Sequence, residues 1–323
     1  MTKTLVRILL PALFLLALPG AAQDAYPNRQ VRWVVPFPPA GPTDIIARIF
    51  AARLTEQWGQ SVLVDNRGGA GGAIGAGLVA KAPADGYTIV QGTQSTHASN
   101  VSFFPNMPFD AVRDFAPLTL IGTSCLALIV PHSVPAASAT ELVDWIGKQN
   151  GAVSYGSAAA GTSPHVAGEL FLKRTGVKAT HIPYKGSAAA MQDVLGGRLA
   201  FMFDNLPTAL PLARAGKVKA LAQTCEKRSA AAPDLPTMKE ALGTDVTVEG
   251  WYGIFAPAGT PRPIVEKLSA DINRALRHPA AMERWASLGF DPIGSTPEVL
   301  AARQKSDIEY WRKMIELTGV KIE

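Results

Sequence analysis

The chain has 323 residues, 47% of them apolar and 18% charged, with a formal charge of +5. That composition excludes a disordered or low-complexity chain and provides for a large buried core in about two domains. The mild positive balance suits anionic ligands and falls far short of a nucleic-acid footprint, so no nucleic-acid partner is expected.

The first 22 residues read as a leader. Lys3 and Arg7 form a basic start, Ile8 to Leu18 an apolar run, and Gly20-Ala21-Ala22 a small-residue cleavage site. The apolar run is too short for a membrane span, which needs about 20 residues. Removing Lys3 and Arg7 with the leader takes the formal charge from +5 to +3. The mature chain is expected to begin near Gln23, outside the cytoplasm. Cys125 and Cys225 are the only cysteines. Export permits a disulfide, and spacing cannot show whether the two approach; the plainer expectation is two separate, small, buried hydrophobes.

Strands and helices then alternate. Val31 to Val35 reads as a strand, Thr43 to Trp58 as a helix, Ser61 to Val64 as a strand, Ala73 to Lys81 as a helix, and Thr88 to Val90 as a strand. This βαβαβ rhythm implies a mostly parallel sheet covered on both faces. A second block follows: an apolar run Leu126 to Val130, a helix Ala139 to Lys148, a strand Val153 to Tyr155, a helix His165 to Thr175, a strand Ala179 to Ile182, a helix Ala188 to Leu195, and strands Ala200 to Phe203 and Lys219 to Gln223. Ser229 to Gly243 looks like a crossing loop, and Trp251 to Ala256 a returning strand. Three helices close the chain: Pro261 to Arg277, Ala280 to Leu288 and Pro297 to Leu317. Thr260 and Thr296 are placed as N-caps ahead of a proline at the first helical position. Two α/β blocks with a helical tail imply two lobes, residues 24–124 plus 246–323 and residues 125–245. Such sheets bind ligands beyond the carboxyl ends of their strands.

The chemistry is expected at helix starts. Three strand-to-helix turns end in small or capping residues: Pro36 to Asp44, Tyr155 to His165, and Pro183 to Ser187. Free N–H groups and the positive end of the helix dipole make each a ready anion site. Thr43, Ser157, Thr162 and Ser163 add hydroxyls, and Lys185 a charge. Phe37 and Tyr184 are candidate walls. Asp204, at a strand end, is either a helix cap or a ligand contact, while Asp44 suits a cap, because its charge would repel an anion. Several sharper motifs fail. Gly75 to Ala80 fits G-x-G-x-x-A but falls inside a helix with no acidic partner downstream. No P-loop or G-x-S-x-G elbow occurs, and the five histidines lack metal-ligand spacing, so neither cofactor nor metal is expected. Ser157 or Ser163 near His165 does not by itself make a nucleophile.

These same residues resemble the extracytoplasmic solute receptors of the tripartite tricarboxylate transporters, the Bug receptors. The likeness runs through Val35-Pro36-Phe37 to Thr43-Asp44, Asp65 to Gly72, Asp85-Gly86-Tyr87-Thr88, Tyr155-Gly156-Ser157, Gly161 to His165, His181 to Gly186, Phe203 to Pro207, Lys227-Arg228-Ser229, Pro233 to Thr237, Trp251-Tyr252-Gly253 and Ala256 to Pro261. The resemblance implies a type II periplasmic-binding-protein fold of two α/β lobes joined by a hinge. It implies a non-enzymatic periplasmic protein, expected to be monomeric, that captures a small organic carboxylate and hands it to membrane permease subunits. It also implies ligand contacts from the loop before the first helix and, on the other lobe, from the Gly161-Thr162-Ser163 turn and the Asp204 loop. The chain departs from the family at Ala40 and Ala159, where glycines are common. If that glycine needs a positive φ, Ala40 must reshape its loop. An exported α/β enzyme acting on a carboxylate or ester, and a sensory receptor for the same ligands, stay open as alternatives.

Overall fold

The computed structural model describes residues 26–104 and 106–318, with side chains through Lys313. The leader assigned to residues 1–22 lies outside the described residues.

The first block is β1 (Val31–Val35), α1 (Pro42–Trp58), β2 (Val62–Asn66), α2 (Ala73–Ala80) and β3 (Thr88–Thr93). β1 lies between β2 and β3, parallel to both. Alternate β1 side chains feed opposite faces, as a strand buried on both sides requires. On one face Trp33 stacks on Phe50 of α1, with centroids 5.5 Å apart, and Phe50 meets Trp285 at 5.3 Å. All three rings are fully buried, each stabilising the fold by about 1.5–3 kcal/mol.

After β3 the chain makes a π-type turn (Ser95–Ser99) and the short helix α3 (Asn100–Phe103). It then enters β4 (Phe115–Val130), a 16-residue strand. The second block is α4 (Ala139–Lys148), β5 (Ser154–Ser157), α5 (Ser163–Thr175), β6 (Thr180–Pro183), α6 (Ser187–Leu195), β7 (Phe201–Asn205), α7 (Leu206–Arg214), β8 (Lys219–Gln223) and α8 (Met238–Leu242). β5 runs parallel to both β6 and β7. The tail supplies β9 (Glu249–Pro257), α9 (Arg262–Leu276), α10 (Pro279–Leu288), β10 (Asp291–Pro292) and α11 (Pro297–Thr318).

β4 serves both groups of strands. Its Phe115–Cys125 portion pairs antiparallel with β9, and Leu126 to Val130 pairs antiparallel with β7 and β8. β9 lies between β3 and β4, giving the order β2-β1-β3-β9-β4-β7-β5-β6. The tail returns to the first block: Trp58 Nε1 donates to Asp271 of α9 at 2.7 Å, and Trp251 Nε1 to Asp307 of α11 at 2.6 Å.

Four expectations are corrected. Cys125 and Cys225 are not separate hydrophobes but a disulfide, with Cα atoms 5.2 Å apart. Their neighbours explain it: Leu126 and Thr224 exchange hydrogen bonds that draw the end of β8 alongside β4. The strand read at Leu126 to Val130 begins at Phe115, because register shifts beside Pro117 and near Leu120 hide its alternation without ending it. The crossing loop contains α8, held by a capping box of Thr237 and Glu240. Thr260 does not cap α9. Its hydroxyl donates to the Pro257 carbonyl, and the helix opens at Arg262 behind Pro261.

Candidate functional site

A cleft with about 560 Å³ of empty space, part of it open to solvent, lies between the first and second blocks. Four helices begin on it: α1 behind Gly41, α5 behind Thr162, α6 behind Gly186 and α7 behind Asn205. None of the four has a side chain accepting a hydrogen bond from its first turn. Their first-turn N–H groups thus have no N-cap side chain as partner, and the positive ends of their dipoles lie at the cleft. Thr93, Gln94 and Ser95, where β3 meets the π-type turn, form a fifth edge, and Trp251 and Tyr252 of β9 form the floor. None of the lining residues carries a formal charge.

The two sides touch. Ser163 Oγ donates to Gln94 Oε1 at 2.6 Å, and Ser99 Oγ to the Gly161 carbonyl at 3.1 Å. Tyr252 donates to Asn205 at 3.1 Å. Gly186 meets Pro38 across the gap: a Cβ there would lie 3.0 Å from the proline ring, and its φ of +108° suits only glycine.

Of the residues singled out in sequence, Phe37, Gly41, Thr43, Thr162 and Ser163 line the cleft. The others stand behind or beside it. Ala40 adopts φ +63°, the left-handed region, without being glycine. Its N–H donates to Asp44 at 2.9 Å, and Arg48 pairs with the same carboxylate at 3.0 Å. Burial pushes the Asp44 carboxyl up, but these partners outweigh it and hold the group below its usual range. Ser157 and Thr162 both turn their hydroxyls toward the Ala159 carbonyl, at 3.0 and 2.7 Å. Ser157 also meets His181 Nε2 at 2.7 Å.

His165 stands behind the Gly161 turn. Its Nδ1 accepts the Gly161 N–H at 3.0 Å, and its ring stacks on His181 with centroids 3.9 Å apart. Burial pushes His165 down to about 3 and His181 to about 4, so both rings are neutral at pH 7. Asp204 is fully buried, accepting from Ser187 and, at 2.6 Å, from Thr208. Burial lifts its carboxyl to about 6, the hydroxyl bonds offsetting only part of that rise. Tyr184 donates to Asp193 on the surface of the second block, and Lys185 is exposed.

Sequence reading missed Thr93, Gln94, Ser95, Asn205, Trp251 and Tyr252 as lining residues. For the first three a signal existed. The strand read as Thr88 to Val90 runs on to Thr93, and Gln94 opens another strand-to-helical turn. α7 was hidden by Pro207 and Pro211, which resemble breakers, although Pro207 sits near the helix start, where proline is tolerated.

Residues 46–320 match the family model described as the tripartite tricarboxylate transporter family receptor. The chain belongs to this family. Three solved members or neighbours are close in structure. "R. palustris Rpa4515 with adipate" is 38% identical, with a TM-score of 0.89, covering 92% of this chain and 99% of that one. "Periplasmic binding protein BugD" is 35% identical, with a TM-score of 0.88, covering 92% and 100%. MatC from Rhodopseudomonas palustris, with bound malate, is 32% identical, with a TM-score of 0.84, covering 90% and 100%. The chain is thus a Bug-type receptor with the two-lobed type II periplasmic-binding-protein fold.

Among the described residues there is no group of three or more side chains suited to a metal, and no helix long and apolar enough to cross a membrane.

Proposed function

We propose that this chain is a periplasmic receptor that closes its two lobes on a small organic carboxylate and delivers it, as a monomer, to the membrane subunits of a tripartite tricarboxylate-type transporter. The lobes are residues 24–124 plus 246–323 and residues 125–245, with the leader removed near Ala22. The observation that carries the reading is the convergence of four helix starts without side-chain caps on one uncharged cleft. A carboxylate there replaces its water with N–H donors and with dipoles that already point at it. The carboxylates bound by two structural neighbours support the same chemistry.

The ligand side is assigned to Phe37, Ala40, Gly41, Thr43 and Asp44 on the first lobe. On the second lobe it is assigned to Ser157, Gly161, Thr162, Ser163, His165 and Asp204, while Tyr184 and Lys185, first candidates from the sequence, lie off the cleft lining. Within these, Gly41, Thr43, Thr162 and Ser163 touch the ligand, and Ala40, Asp44, Ser157, Gly161 and His165 hold the turns in shape. Closure follows if the ligand bonds to both lobes at once, since only differential affinity shifts the equilibrium.

Native mass spectrometry of protein purified from its own periplasm tests this, followed by calorimetry with the carboxylate found. A bound organic acid released unchanged supports the receptor. A chemically altered product would point to the enzyme alternative, and no affinity for any organic acid would overturn the reading.

A further inference from the structure

Gln94 stands apart from the other polar residues of the cleft. It is 1% exposed, yet it lines the cleft, and its Nε2 has no hydrogen-bond partner in the protein. A buried amide N–H without an acceptor has lost its water and gained nothing, so a donor left in this state calls for an acceptor. The other end of the amide is engaged: Oε1 accepts from Ser163, the first residue of α5 on the opposite side. In this arrangement Ser163 takes up Oε1 and leaves Nε2 as the free end of the amide. The neighbouring Ser99–Gly161 bond crosses the cleft beside it and keeps the two segments together.

The cleft also lacks any acidic lining residue that would hold an ammonium group. The two buried carboxyls beside it are already engaged: Asp44 by the Ala40 N–H and Arg48, and Asp204 by Ser187 and Thr208.

We propose that Gln94 is a specificity-determining residue. Its Nε2 donates to a ligand oxygen in the closed form, with Ser163 of the other lobe orienting the amide, so that the cleft takes carboxylates and rejects ammonium groups at this position. The inference rests on the carboxylate-receptor reading. Bonds to charged acceptors contribute about 1.5–3 kcal/mol, which sets the expected loss at roughly tenfold or more.

The experiment is calorimetry with adipate, succinate and L-aspartate on the wild type and on Gln94→Leu, Gln94→Glu and Ser163→Ala, with thermal unfolding confirming that each variant folds. Gln94→Leu is expected to weaken the tightest of these ligands about tenfold or more. Gln94→Glu keeps the shape but turns a donor into a negative acceptor. It is expected to weaken succinate further and to move the succinate-to-aspartate affinity ratio toward aspartate, which a merely structural role would not do. Ser163→Ala is expected to weaken binding less, and combined with Gln94→Leu to add little. Equal affinities in the wild type and both folded Gln94 variants would overturn the role of Gln94 alone. If none of these acids binds, the acid found by native mass spectrometry takes their place in the series; a wild type with no affinity for any organic acid would overturn the carboxylate reading and this inference with it.

Discussion

Two sets of helix starts in this molecule are built differently. On the outer surface, α4 is capped by Ser138, α8 by the Thr237–Glu240 box and α10 by His278. At the cleft, α1, α5, α6 and α7 begin behind glycine, threonine or asparagine, with no side chain on their N–H groups. An absent cap is not in itself a mark of function, since α2 and α9 lack one too. The lesson lies in the convergence. A cap removes an orphan donor at its own helix, whereas four donors left bare around one hollow define a site for something the chain does not contain. The outer starts serve stability, and the inner ones hold stability back for a ligand.

The sharpest way to break this contrast is to cap a cleft helix. Thr162→Asp places a carboxylate where it can accept the His165 N–H at the start of α5. Thermal stability is expected to hold or rise. Ligand affinity should fall by more than about a hundredfold, as two charge-assisted bonds are lost and a like charge is gained. Calorimetry beside a melting curve checks both, and unaltered affinity would remove α5 from the site.

The second test uses acid. Burial holds His97 and His165 at about 3 and His181 at about 4, all below the ordinary 6.5. The unfolded chain therefore takes up these protons first. The stability they contribute is full above about pH 6.5 and drains away as the pH falls toward 3. Asp204 acts in the opposite sense: with its carboxyl raised to about 6, its contribution is full below about pH 4 and is lost as the pH rises through 6. Glu249, Asp291 and Asp307 are raised by burial and act with Asp204, whereas Asp44, Asp65 and Asp110 are held below their ordinary range and act with the histidines, whose shifts are the largest, so Tm is expected to drop between pH 7 and pH 4. His165→Gln should flatten the drop, and Asp204→Asn should steepen it. A Tm that rises on acidification would contradict the burial of these rings.

A smaller effect is expected at the outer caps. Ser138→Ala and Thr237→Ala should each destabilise by about 1 kcal/mol in denaturant titration, with affinity unchanged. A loss of binding there would erase the division between the two sets. The smallest effect belongs to Lys185→Met. The exposed ammonium lies off the cleft lining, so affinity is expected to stay within about twofold at any salt concentration.

Much of this was legible in the chain itself. The βαβαβ unit follows from period and turn signals, and α1, α4 and β8 fall within a residue of where their patterns place them. The Gly41–Thr43 and Thr162–Ser163 starts are readable because a strand end followed by small residues ahead of a helix has few other meanings. What escaped depends on long-range placement. β9 brings Trp251 and Tyr252 to the cleft through pairing with strands more than a hundred residues earlier, and no local pattern carries that. The Cys125–Cys225 bond needs the same knowledge. Hydroxyl direction is also invisible from spacing: Ser157 and Thr162 look like donors to a ligand, yet both donate to Ala159.

The position of β9 has a consequence for the order in which the molecule can be finished. A chain emerging N-terminus first delivers β1, β2, β3 and β4 early, but β3 and β4 meet only through β9, near residue 250. Until then, one edge of β3 and one of the long β4 wait without partners, while the block hung on the far end of β4 has all its own strands by Gln223. The half begun first is completed last. Those waiting edges are where a holding chaperone has the most to cover, and where a chain stopped short of β9 would stick to its neighbours.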